Sequence, residues 1–138
     1  MQYQLSAQRV DATGSLASSH GAEVRLATDM EGRKDAPNPV ELLLAALAAC
    51  MIKGAERVLP VLKFQLDGMR VSLQADRQDA PPRLAAIRYE ITIDTPESAA
   101  RLDLLHRNIL KYGTISNTLA AAVPLSGTIR RAGDDRSS

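Results

Sequence analysis

The sequence predicts an α+β fold in which mostly antiparallel strands enclose one long, buried central helix. Three observations carry this. "MRVSLQADR" and "LAAIRYEITID" alternate apolar and polar residues at the period of half-buried strands, "NPVELLLAALAACMIKG" (residues 38–54) is apolar at helical length, and the two patterns are segregated along the chain instead of alternating as βαβ units.

At 138 residues the chain is expected to form a single domain, 1–138. The apolar share of 45% is that of a globular protein, but with 3% aromatic residues the core falls to Leu, Ile, Val, Ala and Met, and such a thin aliphatic core favours help from a partner subunit. Seventeen basic against 16 acidic residues leave no field to attract nucleic acid or an anionic membrane. "LLLAALAACMI" is about half the roughly 20 apolar residues that span a bilayer, and "MQYQLSAQRVDATG" lacks the apolar centre of a signal peptide, so a cytoplasmic protein is expected. A single cysteine, Cys50, excludes an intrachain disulfide. His20 and His106 lack companions at metal-ligand spacing, so neither a metal nor a cofactor is expected.

Two or three antiparallel strands are expected over residues 1–28, with Ala22, Val24 and Leu26 on one face. After the polar loop "DMEGRKDAPNP", Asn38 suits a helix N-cap, Pro39 the first helical position, and Glu41 the third, completing a capping-box spacing. The central helix is predicted over 38–59, stopped by Pro60. A hairpin follows over 68–94 with "QDAPPR" as its loop, and Ile87, Tyr89, Ile91 and Ile93 on its inner face. Helices are predicted over 95–123, the first capped by Thr95 with Pro96 behind it and closed by Gly113 as a C-terminal cap; a last strand spans 125–130, and 131–138 is read as a disordered tail. His20 is expected in a turn, and His106 at the surface or edge of its helix.

From Leu42 to Ile52 the central helix has no polar side, so it must be covered all round. A second copy of the same helix does this with the fewest residues, which predicts a homodimer.

"NPVELLLAALAAC", followed much later by "KYGTISNTLAAAVPLSGTIR", resembles the OsmC/Ohr family of thiol-dependent peroxide reductases over nearly the whole chain. The resemblance implies an intertwined homodimer around two central helices, a site at the subunit boundary, and Cys50 as the candidate nucleophile. It also shows departures. The peroxidase branches carry a second, resolving cysteine in a block resembling "K-x-C-P-V-S"; here "KYGTIS" puts Gly113 in its place, so a two-cysteine cycle cannot run. The family's Glu after the Asn-Pro pair is Val40 here, with Glu41 one residue on as the candidate helper, and its N-terminal arginine matches either Arg9 or Arg25.

Each site residue has a plainer reading. A free cysteine in an apolar helix is commonly only a small hydrophobe, and Glu41 is accounted for by the capping box. Along one helix Glu41 stands about 13 Å from Cys50, so a direct contact is excluded. Lys53 and Arg57 follow Cys50 on about the same face; they could favour a thiolate, or simply mark where the helix meets water. Leu47, Lys53, Tyr112 and Asn117 are candidate substrate contacts. Three functions stay open: single-cysteine reduction of organic or hydrogen peroxides with an external thiol reductant, a non-catalytic module binding a small apolar ligand, and a redox sensor.

Overall fold

The computed structural model describes residues 1–134. The chain divides into two compact units, residues 1–45 and the part from Ala46 onward, and no helix among the described residues is long and apolar enough to cross a membrane.

The first unit is a three-stranded antiparallel sheet, β1 (Ser6–Asp11), β2 (Gly14–Ser19) and β3 (Ala22–Leu26), in the order β1-β2-β3. The turn into β3 is His20-Gly21, both at positive φ (55° and 80°), where glycine and short polar side chains are tolerated. Register sorts its side chains. Ala7, Ala17 and Val24 are paired across the strands, as are Arg9, Ser15 and Leu26, and all six share one face; Gln8, Leu16 and Arg25 share the other.

Helix α1 (Pro39–Leu62) begins as the sequence predicts: the Glu41 N–H donates to Asn38 Oδ1 at 2.8 Å, and the Asn38 N–H donates back to Glu41 Oε1 at 3.0 Å. Its end differs from expectation, because α1 runs through Pro60 for two further residues. A proline in the last turn removes only its own N–H from the ladder. The end is closed instead at Lys63, at φ 51°, with the Phe64 N–H donating to the Leu59 carbonyl at 3.1 Å, a Schellman-type closure.

The rest of the second unit is a sheet in the order β4-β5-β6, with two helices. β4 (Gly68–Asp79) and β5 (Pro82–Asp94) are antiparallel and longer than expected: the predicted loop shrinks to Ala80-Pro81, joined by a cis peptide bond, and a one-residue irregularity follows Asp76. β6 (Leu125–Arg131) lies parallel to β5. Ile87, Ile91 and Ile93 are fully buried and Tyr89 nearly so, the inner face foreseen from the alternation. They share the core with Leu47, Met51, Ala55 and Val58 of α1 and with Leu102, Leu105 and Ile109 of α2 (Ala99–Tyr112). The outer face is polar, with Arg88 bonded to Asp76 and Arg130 to Glu90.

α2 starts later than predicted. Ser98, not Thr95, is its N-cap, accepting from the Arg101 N–H. Thr95 is buried; its hydroxyl donates to the Gln65 carbonyl at 2.6 Å and accepts from the Glu97 N–H, while Glu97 accepts from the Gln65 N–H. These bonds to the segment after α1 hold residues 95–97 out of the helix. α3 (Thr114–Ala120) follows at once. Arg131, read as tail, closes β6, and the Ala132 N–H donates to the Ile93 carbonyl; Asp134 donates back to the Arg131 carbonyl in a turn, and the remainder of the expected tail lies outside the described residues.

Candidate functional site

Cys50 is a free, half-buried thiol in the third turn of α1. The burial pattern along α1 is one-sided: Leu47, Met51, Gly54, Ala55 and Val58 are buried, whereas Ala45, Ala49 and Ile52 are exposed, although all of these residues are apolar. Cys50 stands on the flank between the two sides. Leu47, a candidate substrate contact by sequence, is fully buried on the inner side and therefore supports the helix instead of lining its surface.

α1 and α2 meet one turn beyond Cys50. The helices touch at Gly54 and Ile109, so closely that a Cβ on Gly54 would sit 3.7 Å from the Ile109 backbone. They run in opposite directions from there, since Arg101, early in α2, donates to the carbonyl of Leu62 at the end of α1 at 2.5 Å. Cys50 precedes this contact by one turn of α1, and Gly113 follows it at the end of α2.

The α2–α3 junction is tightly built. The Arg57 guanidinium donates to the Tyr112 carbonyl at 3.1 Å, Asn117 Nδ2 donates to the Lys111 carbonyl at 3.3 Å, and the Asn117 N–H to the Gly113 carbonyl at 2.9 Å. Tyr112 is half exposed, with the Lys111 ammonium 5.3 Å from its ring centroid. Arg57 thus caps the end of α2, a role invisible in a sequence that separates the two residues by 55 positions. Gly113 ends α2, but not in the left-handed conformation expected of a glycine cap: its φ and ψ are −82° and 113°. Glycine is needed there for space, because a Cβ would lie 3.1 Å from the Ile109 carbonyl oxygen and 2.9 Å from Ser116 Oγ.

The charged candidates of the first unit have separate surroundings. Glu41 is committed to the cap of α1. Arg9 is exposed on the apolar face of the sheet, whereas Arg25, on the other face, stands 4.0 Å from Asp35. The arginine that organises this region is one the sequence did not single out, Arg33. It grips Asp35 with two bonds of 2.5 and 2.7 Å and donates to the Thr13 carbonyl, and it holds the Asp35 carboxyl down at about 2. Its guanidinium packs so close to Gly14 that a Cβ there would collide with it. Arg-x-Asp in a polar loop carries no signal that would have set this pair apart. Arg25 and Arg33 line a groove of about 310 Å³, and Asn38, Pro39 and Val40 one of about 540 Å³; Cys50 lines neither.

His106, expected at the surface or edge of its helix, is half-buried: its Nε2 is 2.6 Å from the Tyr89 hydroxyl, and the rings meet edge to face at 5.6 Å. Burial holds the imidazole below its ordinary value, with Asp103 pulling the other way, and burial raises the Tyr89 phenol.

The fold, the capped cysteine helix and the abutting α2–α3 junction together match a known group. The sequence model of OsmC-like proteins matches residues 32–127, and the chain belongs to this family. Among solved structures it superposes on an OsmC-like protein of Mycoplasma pneumoniae with a TM-score of 0.88 at 18% identity, covering 95% of this chain and 97% of that one. An organic hydroperoxide resistance protein OsmC of Legionella pneumophila gives 0.74 at 20% identity, over 94% and 98%. The organic hydroperoxide resistance protein OhrB of Bacillus subtilis gives 0.70 at 11% identity, over 94% and 98%. No curated protein matches in sequence.

Proposed function

We propose that this is a cytoplasmic, homodimeric thiol protein that reduces organic or hydrogen peroxides through Cys50 alone and is returned to its starting state by an external thiol. The observation that carries the reading is Cys50 itself: a free, half-buried thiol on the long capped helix of a chain that belongs to the OsmC-like family. The names of the Legionella and Bacillus relatives, organic hydroperoxide resistance proteins, support the substrate class. Lys53 and Arg57 follow Cys50 on the same side of α1.

In the proposed step the Cys50 thiolate attacks the terminal peroxide oxygen; an S–O bond forms, the O–O bond breaks, and the alkoxide leaves and takes a proton from water. Sulfur is oxidised to sulfenic acid as the peroxide is reduced. One external thiol then displaces water to give a mixed disulfide, and a second attacks the outer sulfur, breaking the bond to Cys50, which is regenerated as the two external thiols leave joined in a disulfide.

The dimer rests on α1. Leu42, Ala45, Ala49 and Ile52 follow one another at helical spacing on the side away from the core, and Ile52 is 41% exposed. A second copy of this strip is the occupant that matches it in length and small-residue character. Glu41 acts as the helix cap at the start of α1.

The test is peroxide consumption with a small dithiol present. Wild type should turn over, and Cys50→Ser, which keeps the volume and removes the sulfur, should fall to background; equal rates would end the proposal.

A further inference from the structure

Three cations meet where α1 passes the end of α2. Lys53 and Arg57, four residues apart, stand one above the other on α1 and are both exposed. The Arg57 guanidinium donates to the Tyr112 carbonyl at 3.1 Å, and the exposed Lys111 ammonium lies 5.3 Å from the Tyr112 ring centroid, so Tyr112 ties the α1 pair to the third charge. Among the described residues none of the three is in an ion pair. Acidic residues are scarce around them. From Leu104 to Arg131 the chain has none, and the one acid of α1 beyond its first turn, Glu56, is turned about 100° round the helix from Arg57, on the side of Ala49 and Ile52. Arg57 and Lys111 are held against Tyr112, and cations held in place bind an anion at a lower cost in side-chain ordering.

We infer that Lys53, Arg57, Lys111 and Tyr112 form the docking surface of the external reductant, and that this reductant is a small anionic thiol carrying carboxylates. This rests on the reading that Cys50 is oxidised by peroxide and returned by an external thiol. Lys53 lies one turn beyond Cys50 on the same side of α1, so a thiol anchored there by its carboxylates has its sulfur near Cys50. Lys53 and Arg57 are separated by about 6 Å along the helix axis, a span that two carboxylates on neighbouring carbons can reach together. In the step served by the surface, the anchored thiol attacks the sulfenic sulfur of Cys50; an S–S bond forms, the S–O bond breaks, and the oxygen leaves as water with the proton of the thiol.

The test follows the loss of the dimedone-reactive form of Cys50 by mass spectrometry after one equivalent of tert-butyl hydroperoxide, with mercaptosuccinate or 2-mercaptoethanol as the reductant. The readout is the ratio of the mercaptosuccinate rate to the 2-mercaptoethanol rate, in which the inherent reactivity of each thiol cancels when proteins are compared. Lys53→Gln and Lys111→Gln should each lower this ratio about threefold, the scale of an exposed ion pair, and the double variant should lower it further. Added sodium chloride should lower it in wild type by screening the same charges. Arg70→Gln, which removes an exposed cation from the polar outer face of β4, should leave it unchanged. Lys53 is exposed and makes no hydrogen bond or ion pair among the described residues, so Lys53→Gln should fold as wild type and carries the test alone if the double variant does not fold. An unchanged ratio in folded Lys53→Gln overturns the inference, as does an equal fall in Arg70→Gln, which would assign the preference to net charge. If wild-type Cys50 gives no dimedone adduct, the peroxide reading fails and this inference with it; an unchanged ratio in proteins that all form the adduct overturns this inference alone.

Discussion

The two sheets of this protein are built to opposite standards. In β4-β5-β6 the inner residues Ile87, Ile91 and Ile93 are fully buried within the chain. In β1-β2-β3 every residue of β1 is exposed, and Tyr3, Leu5 and Val24 in and around that sheet are 81, 68 and 44% exposed. The second sheet has helices packed on its apolar face; on the first, Ala17 is buried and Leu26 half-buried, while Ala7 and Val24 of the same face are exposed. One chain thus completes one core and leaves a second sheet largely exposed.

The largest effects should come from breaking the finished core. Ile91→Ala should cost about 2–5 kcal/mol in urea unfolding, whereas Val24→Ala on the first sheet should cost less than about 1 kcal/mol if that face is open. A Val24 cost as large as that of Ile91 would mean that the first sheet is covered in solution. Gly127→Ala belongs with Ile91, because a Cβ on Gly127 would collide with the ring and carbonyl of Tyr89; overpacking of about 1–3 kcal/mol is expected from thermal melts.

Association comes next in size. Ile52→Glu places a charge on the exposed side of α1, so it should leave the chain folded by circular dichroism and shift the sedimentation coefficient from dimer to monomer. Leu47→Glu is the wrong probe, since it would break the subunit's own core. A monomeric wild type at micromolar concentration would remove the dimer from the account.

Smaller effects test local devices. Asn38→Ala removes the cap side chain of α1 and should cost about 1 kcal/mol. His106 gives a pH dependence whose sign is set by burial: the folded imidazole titrates below its ordinary value, so the unfolded chain takes up the proton first as pH falls through about 6.5. The contribution from His106 should be complete above that pH and decline below it, and His106→Gln should flatten that part of the stability profile.

The sequence made the repeated patterns legible and concealed the long-range ones. The alternation of Ile87 to Ile93 and the reciprocal spacing of Asn38 and Glu41 act over a few residues, and both are found as read. Pro60 misled because a last-turn proline costs one bond and Lys63 with Phe64 could close the helix beyond it. Thr95 misled because its hydroxyl is taken by Gln65, thirty residues away. Cys50 was singled out through the family resemblance, and the site it would form stands as a proposal. Gly113 was placed correctly as the end of α2, although the reason for a glycine is the space required by Ile109 and Ser116, not a left-handed turn. Arg33 and the Tyr89–His106 pair gave no local signal, since the Thr13 carbonyl that Arg33 reaches and the Tyr89 that His106 meets are brought close only by folding.

The most direct test of the central claim is mass spectrometry of the wild-type protein treated with organic hydroperoxide in the presence of dimedone. The account predicts a dimedone adduct on Cys50 that is absent from untreated protein and suppressed when a small dithiol competes. A Cys50 thiol that stays unmodified at millimolar peroxide, in folded protein, would contradict it.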